Sequence, residues 1–142
     1  MSVANSRRTG RGICLALAGV DAALGIAAAA FPNAYLSLVH SGLPEREFPI
    51  DWVVRTGVLW LMFLVFELSG ALSAAPGKWF FCVAMLRWME VPADVAYGVL
   101  ARGSTPLAQA VILSAPAVNA LAGALLLASF RKESPPPAQP ER

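Results

Sequence analysis

The apolar positions of this chain come in long blocks. Four stand out, at about 12–31, 52–74, 79–101 and 107–130. Each is close to the ~20 residues that a helix needs to cross the hydrocarbon of a bilayer. A single domain of 142 residues has too little interior to hide several such blocks. Lipid solvates them, so the pattern predicts an all-α chain, an integral membrane four-helix bundle.

Punctuation between the blocks fits that division. Pro32 and Asn33 end the first block, as residues that stop a helix do. A loop from about Pro32 to Pro49 follows, and Tyr35, Leu36, Leu38 and Val39 make its first half a candidate short interfacial helix. Pro49 and Asp51 precede the second block as helix-start residues. Ser73 to Gly77 form a tight exit turn, and Pro106 opens the fourth block. Pro92 and Pro116 fall inside the third and fourth blocks, where a missing backbone donor bends a helix. Residues 1–11 read as a polar N-terminal segment and 131–142 as a proline-rich disordered tail.

The N-terminus also imitates a secretory signal. Arg7, Arg8 and Arg11 precede an apolar stretch, and Ala27–Ala30 offers small residues for cleavage. That stretch is longer than the usual apolar core of a signal and holds Asp21 near its middle, so a retained helix is expected.

Charge orients the spans. With four crossings both termini share one side, which collects Arg7, Arg8, Arg11, Lys78, Arg131, Lys132 and Arg142. The other side collects Arg46, Arg55 and Arg102. Seven against three predicts cytoplasmic termini, in the inner (plasma) membrane. Trp52 and Trp79 stand at span ends, where indoles favour the headgroup region.

Composition removes several function classes. The chain is 57% hydrophobic and 14% charged with a net charge of +2, too little basic character for a nucleic-acid partner. His40 is the only histidine, which rules out multi-histidine haem or metal sites. No CxxC, HExxH, P-loop or GxSxG motif occurs. No cofactor, metal or catalytic residue is therefore assigned. Cys14 and Cys82 lie inside spans and read as buried thiols.

The sharpest feature is the set of ionisable residues inside the spans: Asp21 in the first, Arg55 and Glu67 in the second, and Arg87, Glu90 and Asp94 in the third. A charge at mid-bilayer costs about 3 kcal/mol or more, so these groups face protein or water, or are neutralised. Arg87, Glu90, Asp94 and Tyr97 are spaced i, i+3, i+7, i+10 and share one helix face. Glu90 is close enough to pair with Arg87 and to repel Asp94. Depth, at about 1.5 Å per residue, makes Glu67–Arg87 the first expected bridge and Arg55–Asp94 a second. Asp21 has no evident cation; it is expected to be protonated or to bond Asn119, Trp88 or Tyr97.

The layout resembles small four-helix bacterial membrane proteins, broadly the DoxX-like group. FPNAYLSL follows the first span, VVRTGVLWLMFLVFELSGALSAAP makes the second, and the RTG at Arg55–Gly57 is the best single match. The polar third span, with LRWMEVPADVAYG, departs from that group. Some DoxX-type proteins are associated with respiratory or redox membrane assemblies, and the resemblance carries over no catalytic or cofactor residue.

Three functions compete at this level. The first is a non-enzymatic subunit or accessory of a membrane complex, with the lipid bilayer and a membrane-protein partner or a second copy as its surroundings. The second is a small proton-coupled transporter or channel using the charged residues. The third is a quinone-binding redox subunit, with Arg87, Trp88 and Tyr97 lining a pocket.

Overall fold

A computed structural model describes residues 3–40, 50–100 and 103–133. These residues are helical almost throughout. In chain order the elements are α1 (Val3–Ala30), α2 (Pro32–Val39), α3 (Ile50–Leu72), α4 (Gly77–Leu100) and α5 (Pro106–Glu133). The expected interfacial helix is α2. Among the described residues, α1, α3 and α5 are long and apolar enough to cross a membrane. α4 is also long enough, at 24 residues, but Lys78, Arg87, Glu90 and Asp94 interrupt its apolar surface.

Two boundaries differ from expectation. Helix α1 begins at Val3, so most of the polar N-terminal segment is helical. The reason is packing: Ser6 and Gly10 are buried in that first stretch, and a Cβ on Gly10 would meet the Phe80 ring. Helix α5 continues to Glu133, three residues into the expected tail, because Glu133 is held by Arg7. The rest of that tail lies outside the described residues. Pro92 and Pro116 sit within continuous helices. Cys14 is buried, Cys82 is half-buried, and neither forms a disulfide.

Short turn chemistry sets the corners. Pro32 opens α2, and the His40 amide closes it on Leu36 O at 2.7 Å. Thr105 caps α5: its Oγ1 accepts from the Ala108 amide at 3.2 Å. Gly103 has φ 63°, a left-handed conformation that favours glycine, in the turn before α5.

The four long helices alternate in direction. Gly25 meets Leu61 and Gly57, whereas Cys14 meets Gly70, so α1 and α3 run antiparallel. Gly123 meets Trp88, and Gly98 meets Ile112, so α4 and α5 do too. Helix α1 packs chiefly on α3, and α4 chiefly on α5; the two pairs touch each other more lightly. Within the first pair the backbones nearly touch: a Cβ on Gly57 would lie 2.6 Å from Ala29 N and 2.8 Å from Gly25 O. Small residues permit this approach, which is how helices gain contact without large side chains.

The main apolar cluster joins the two pairs near the end that carries the termini. Cys14 and Leu17 come from α1, Ala71 from α3, Phe80, Val83 and Ala84 from α4, and Ala122 and Leu126 from α5. Toward the other end the pairs share little. Arg87 is the last buried residue of α4, and everything from Glu90 to Leu100 is half-buried or exposed.

Candidate functional site

Arg87 sits where the two helix pairs meet. Its Nη2 donates to Asp21 Oδ2 on α1 at 2.5 Å, and also to Glu67 Oε1 on α3. Its Nη1 donates to Glu90 Oε2, three residues along α4, at 2.6 Å. The Phe63 ring closes one side, its centroid 5.9 Å from the guanidinium carbon. One cation thus binds acids from three helices. The side chains of Asp21, Glu67 and Arg87 are 2%, 1% and 5% exposed, while that of Glu90 is 16% exposed. The deep end of the cluster is therefore sealed and the Glu90 end is more open.

The planar guanidinium explains why arginine fills this place. It presents five donors in a rigid fork, so it can serve several carboxylates at fixed angles. Its charge still balances only one of them. Three carboxylates against one guanidinium leave a surplus of two negative charges if all are ionised. Glu67 Oε2 is buried and has no hydrogen-bond partner. An unpaired carboxylate oxygen in such a place is costly, because neither water nor a donor replaces its hydration.

A second polar layer continues along α4. Asn119 of α5 donates Nδ2 to Asp94 Oδ2 at 2.7 Å. One turn further, Tyr97 OH and His40 Nε2 lie 2.5 Å apart, with their rings edge to face. That contact belongs to a clasp between the two connections at this end. Thr105 N donates to Val39 O at 2.9 Å, Thr105 Oγ1 to Leu38 O at 2.9 Å, and His40 pairs with Ser104. Tyr35 of α2 packs edge-on to Trp60, and burial, with a smaller effect of Tyr97, pushes its phenol up to about 12.

Of the residues singled out in the sequence, Asp21, Glu67, Arg87 and Glu90 converge. The Glu67–Arg87 and Arg87–Glu90 pairs are present. Asp21 bonds Arg87 rather than Asn119, Trp88 or Tyr97. Asn119 binds Asp94 instead. The expected Arg55–Asp94 pair does not form: Arg55 is exposed and lies over the Trp52 ring, 5.1 Å from its centroid. At that end α3 packs on α1, through Gly57 and Gly25, and Arg55 lies off that face. Trp88, Arg87 and Tyr97 turn to three different neighbours, Gly123, the acid cluster and His40.

Sequence reasoning missed two contacts. Depth arithmetic would have found Asp21 as a third partner of Arg87, since no other cation stands in the middle of a span. Nothing in the sequence marks His40 as a partner of Tyr97. Among the described residues, no three His, Cys, Asp or Glu side chains are arranged to hold a metal ion.

Neither a family model, a curated protein nor a solved structure matches the chain.

Proposed function

We propose that the chain is a multi-pass protein of the inner (plasma) membrane, that α1, α3, α4 and α5 are its four spans, and that both termini are cytoplasmic. In this reading it is a small proton-coupled carrier without covalent catalysis, and the Arg87 cluster binds the proton. The DoxX-like layout belongs to the same proposal.

Several observations support the membrane part. Large apolar side chains such as Val20, Met62, Val65, Met89 and Leu121 are more than half exposed, which water tolerates poorly over so wide a surface. Hydroxyls on the long helices bond their own backbone, as Ser69 Oγ to Val65 O at 2.7 Å and Ser129 Oγ to Leu125 O at 3.0 Å. Lipid offers no other partner. Helix α4 turns Arg87 inward and Met89 outward, the arrangement expected of a span that carries charge.

One observation carries the proton-binding part: a single guanidinium holds three carboxylates in the interior, and Glu67 Oε2 has no partner. A lock between helices needs one acid for one base, because each surplus buried charge opposes folding. Protons are the smallest cations that can remove the surplus. Reconstituted vesicles under a pH gradient test this. Wild type is expected to pass protons above the protein-free background, and Glu67→Gln to fall to it. Background flux in both would remove the reading.

The second reading is an accessory subunit in which Arg87 ties α1, α3 and α4 together mechanically. The same bridge supports it. It predicts a specific co-purifying membrane partner in mild detergent and unchanged function in Glu67→Gln.

A further inference from the structure

We infer that protons reach the buried carboxylates from the end of the bundle that carries α2, through Asp94 and Glu90, and that the end carrying the termini is closed to them. This inference rests on the proton-binding reading of the Arg87 cluster.

The two ends are built differently. Between Arg87 and the terminal end lies the apolar cluster, where Cys14, Phe80, Val83 and Leu126 are all 0% exposed. The Phe80 ring fills the space against Gly10. Beyond it, Arg11 Nη2 donates to Ser73 O at 2.6 Å, and Arg7 binds Glu133. This plug offers few groups that could relay a proton.

On the other side the relay groups are present and exposure rises along them. Glu67 is 1% exposed and Arg87 5%, and Glu90 reaches 16%. Asp94, one turn on, is half-buried and anchored by Asn119. Glu90 and Asp94 are four residues apart on a helix, so their Cβ atoms lie about 6 Å apart. One water spans such carboxyls. Glu90 and Glu67 in turn hold the same guanidinium, which keeps their carboxyl groups close.

The transfer balances. A proton taken from water neutralises Asp94. It then leaves the Asp94 carboxyl for the Glu90 carboxylate, returning Asp94 to its charged form. The O–H bond on Glu90 breaks as one forms on Glu67 or Asp21. Each proton delivered lowers the cluster's negative surplus by one. The charged or titratable groups facing Glu67 are Asp21 and Cys14 from α1 and Arg87 and Glu90 from α4, with Asp94 beyond them. From α5 the site receives the uncharged Asn119, and Tyr35 and His40 stand at the α2 end.

Infrared spectroscopy of the full chain in lipid nanodiscs tests the route. The protonated carboxyl band of Glu67 is identified by its loss in Glu67→Gln. Its shift after transfer to heavy water then times access to the site. Asp94→Asn is expected to slow that shift by about tenfold or more while leaving the band's final amplitude unchanged. Asp94→Glu is expected to restore the rate. Opening the plug with Leu126→Ala in the Asp94→Asn background is expected to restore it too, by a second path. An unchanged rate in Asp94→Asn, in protein whose thermal unfolding matches wild type, overturns the route and leaves the cluster's proton binding standing. Absence of any band lost in Glu67→Gln overturns the proton-binding reading itself, and the route with it.

Discussion

Arg7, in the second turn of α1, and Glu133, the last residue of α5, form a bidentate pair across 126 residues of sequence. Nε donates to Oε1 at 3.0 Å, and Nη2 to Oε2 at 2.7 Å. The pair fastens the first helix to the last at the end where the apolar cluster lies. Fork-to-fork geometry makes it stronger than a single-point contact. Arg7 remains 43% exposed, so solvent and salt weaken it.

This clasp gives stability a defined pH dependence. The hydrogen bond from Arg7, aided by its charge, holds the Glu133 carboxyl below its ordinary value. A carboxyl depressed in the folded state stabilises the fold above its unfolded value of about 4.3, and that contribution fades as pH falls through the folded value. Thermal unfolding of wild type and Glu133→Gln in detergent should therefore differ most near neutrality. The gap should close as the pH is taken below about 4, and should narrow in high salt at pH 7.

Glycines divide into two classes with opposite expectations. A Cβ on Gly123 would run into the Trp88 indole and lie 3.2 Å from Ala84 O, and one on Gly57 would meet the backbone of α1. Gly123→Val and Gly57→Val are expected to destabilise by about 1–3 kcal/mol through overpacking. Gly12 and Gly19 look onto open space. Valine at either is expected to be neutral within about 0.5 kcal/mol, as for other surface changes. Unfolding titrations in mixed micelles separate the two classes.

The contact between His40 and Tyr97 should govern local opening at the α2 end. Tyr97→Phe removes one hydrogen bond, worth about 1 kcal/mol. The Thr105 amide, which donates to Val39 O in the same clasp, should then exchange with heavy water several-fold faster. Amides in the middle of α1 should be unaffected, because the packing of α1 on α3 does not involve this clasp. Exchange measured by mass spectrometry in nanodiscs checks both expectations.

Block length and punctuation made the five helices legible, including α2, because a helix's apolar content and its Pro and Gly stops are local. The charged face of α4 was equally local, since Arg87, Glu90, Asp94 and Tyr97 are fixed by helical spacing. Glu67 followed from depth. What spacing could not give was azimuth: which way each helix turns its charged residue. Arg55 and Asp94 match in depth, yet α3 packs on α1 there and the two do not meet. Asp21 looked unpartnered for the converse reason, because α1 faces α4 through it. The helical start of α1 escaped notice because it depends on Phe80, seventy residues away.

Substitutions at the two ends of one bond should act in opposite directions at the Arg87 centre. Arg87→Gln strips the only cation from Asp21, Glu67 and Glu90 and strands buried acids, which in other proteins costs about 3–5 kcal/mol. Protonation of those acids offsets part of this cost, so the loss should be smaller at pH 5 than at pH 8. Glu67→Gln removes one surplus acid instead. It keeps an amide oxygen able to accept from Arg87 Nη2, leaves Asp21 and Glu90 in place, and discards the oxygen that has no partner. It is expected to leave stability unchanged or raise it by about 1 kcal/mol. Arg87→Lys should fall between the two, since an ammonium keeps the charge but not the fork that reaches three carboxylates. Thermal unfolding of the three variants across pH 5–8 orders them. A Glu67→Gln protein as unstable as Arg87→Gln would mean that the third acid is part of the lock rather than a surplus, and would remove the charge argument on which proton binding rests.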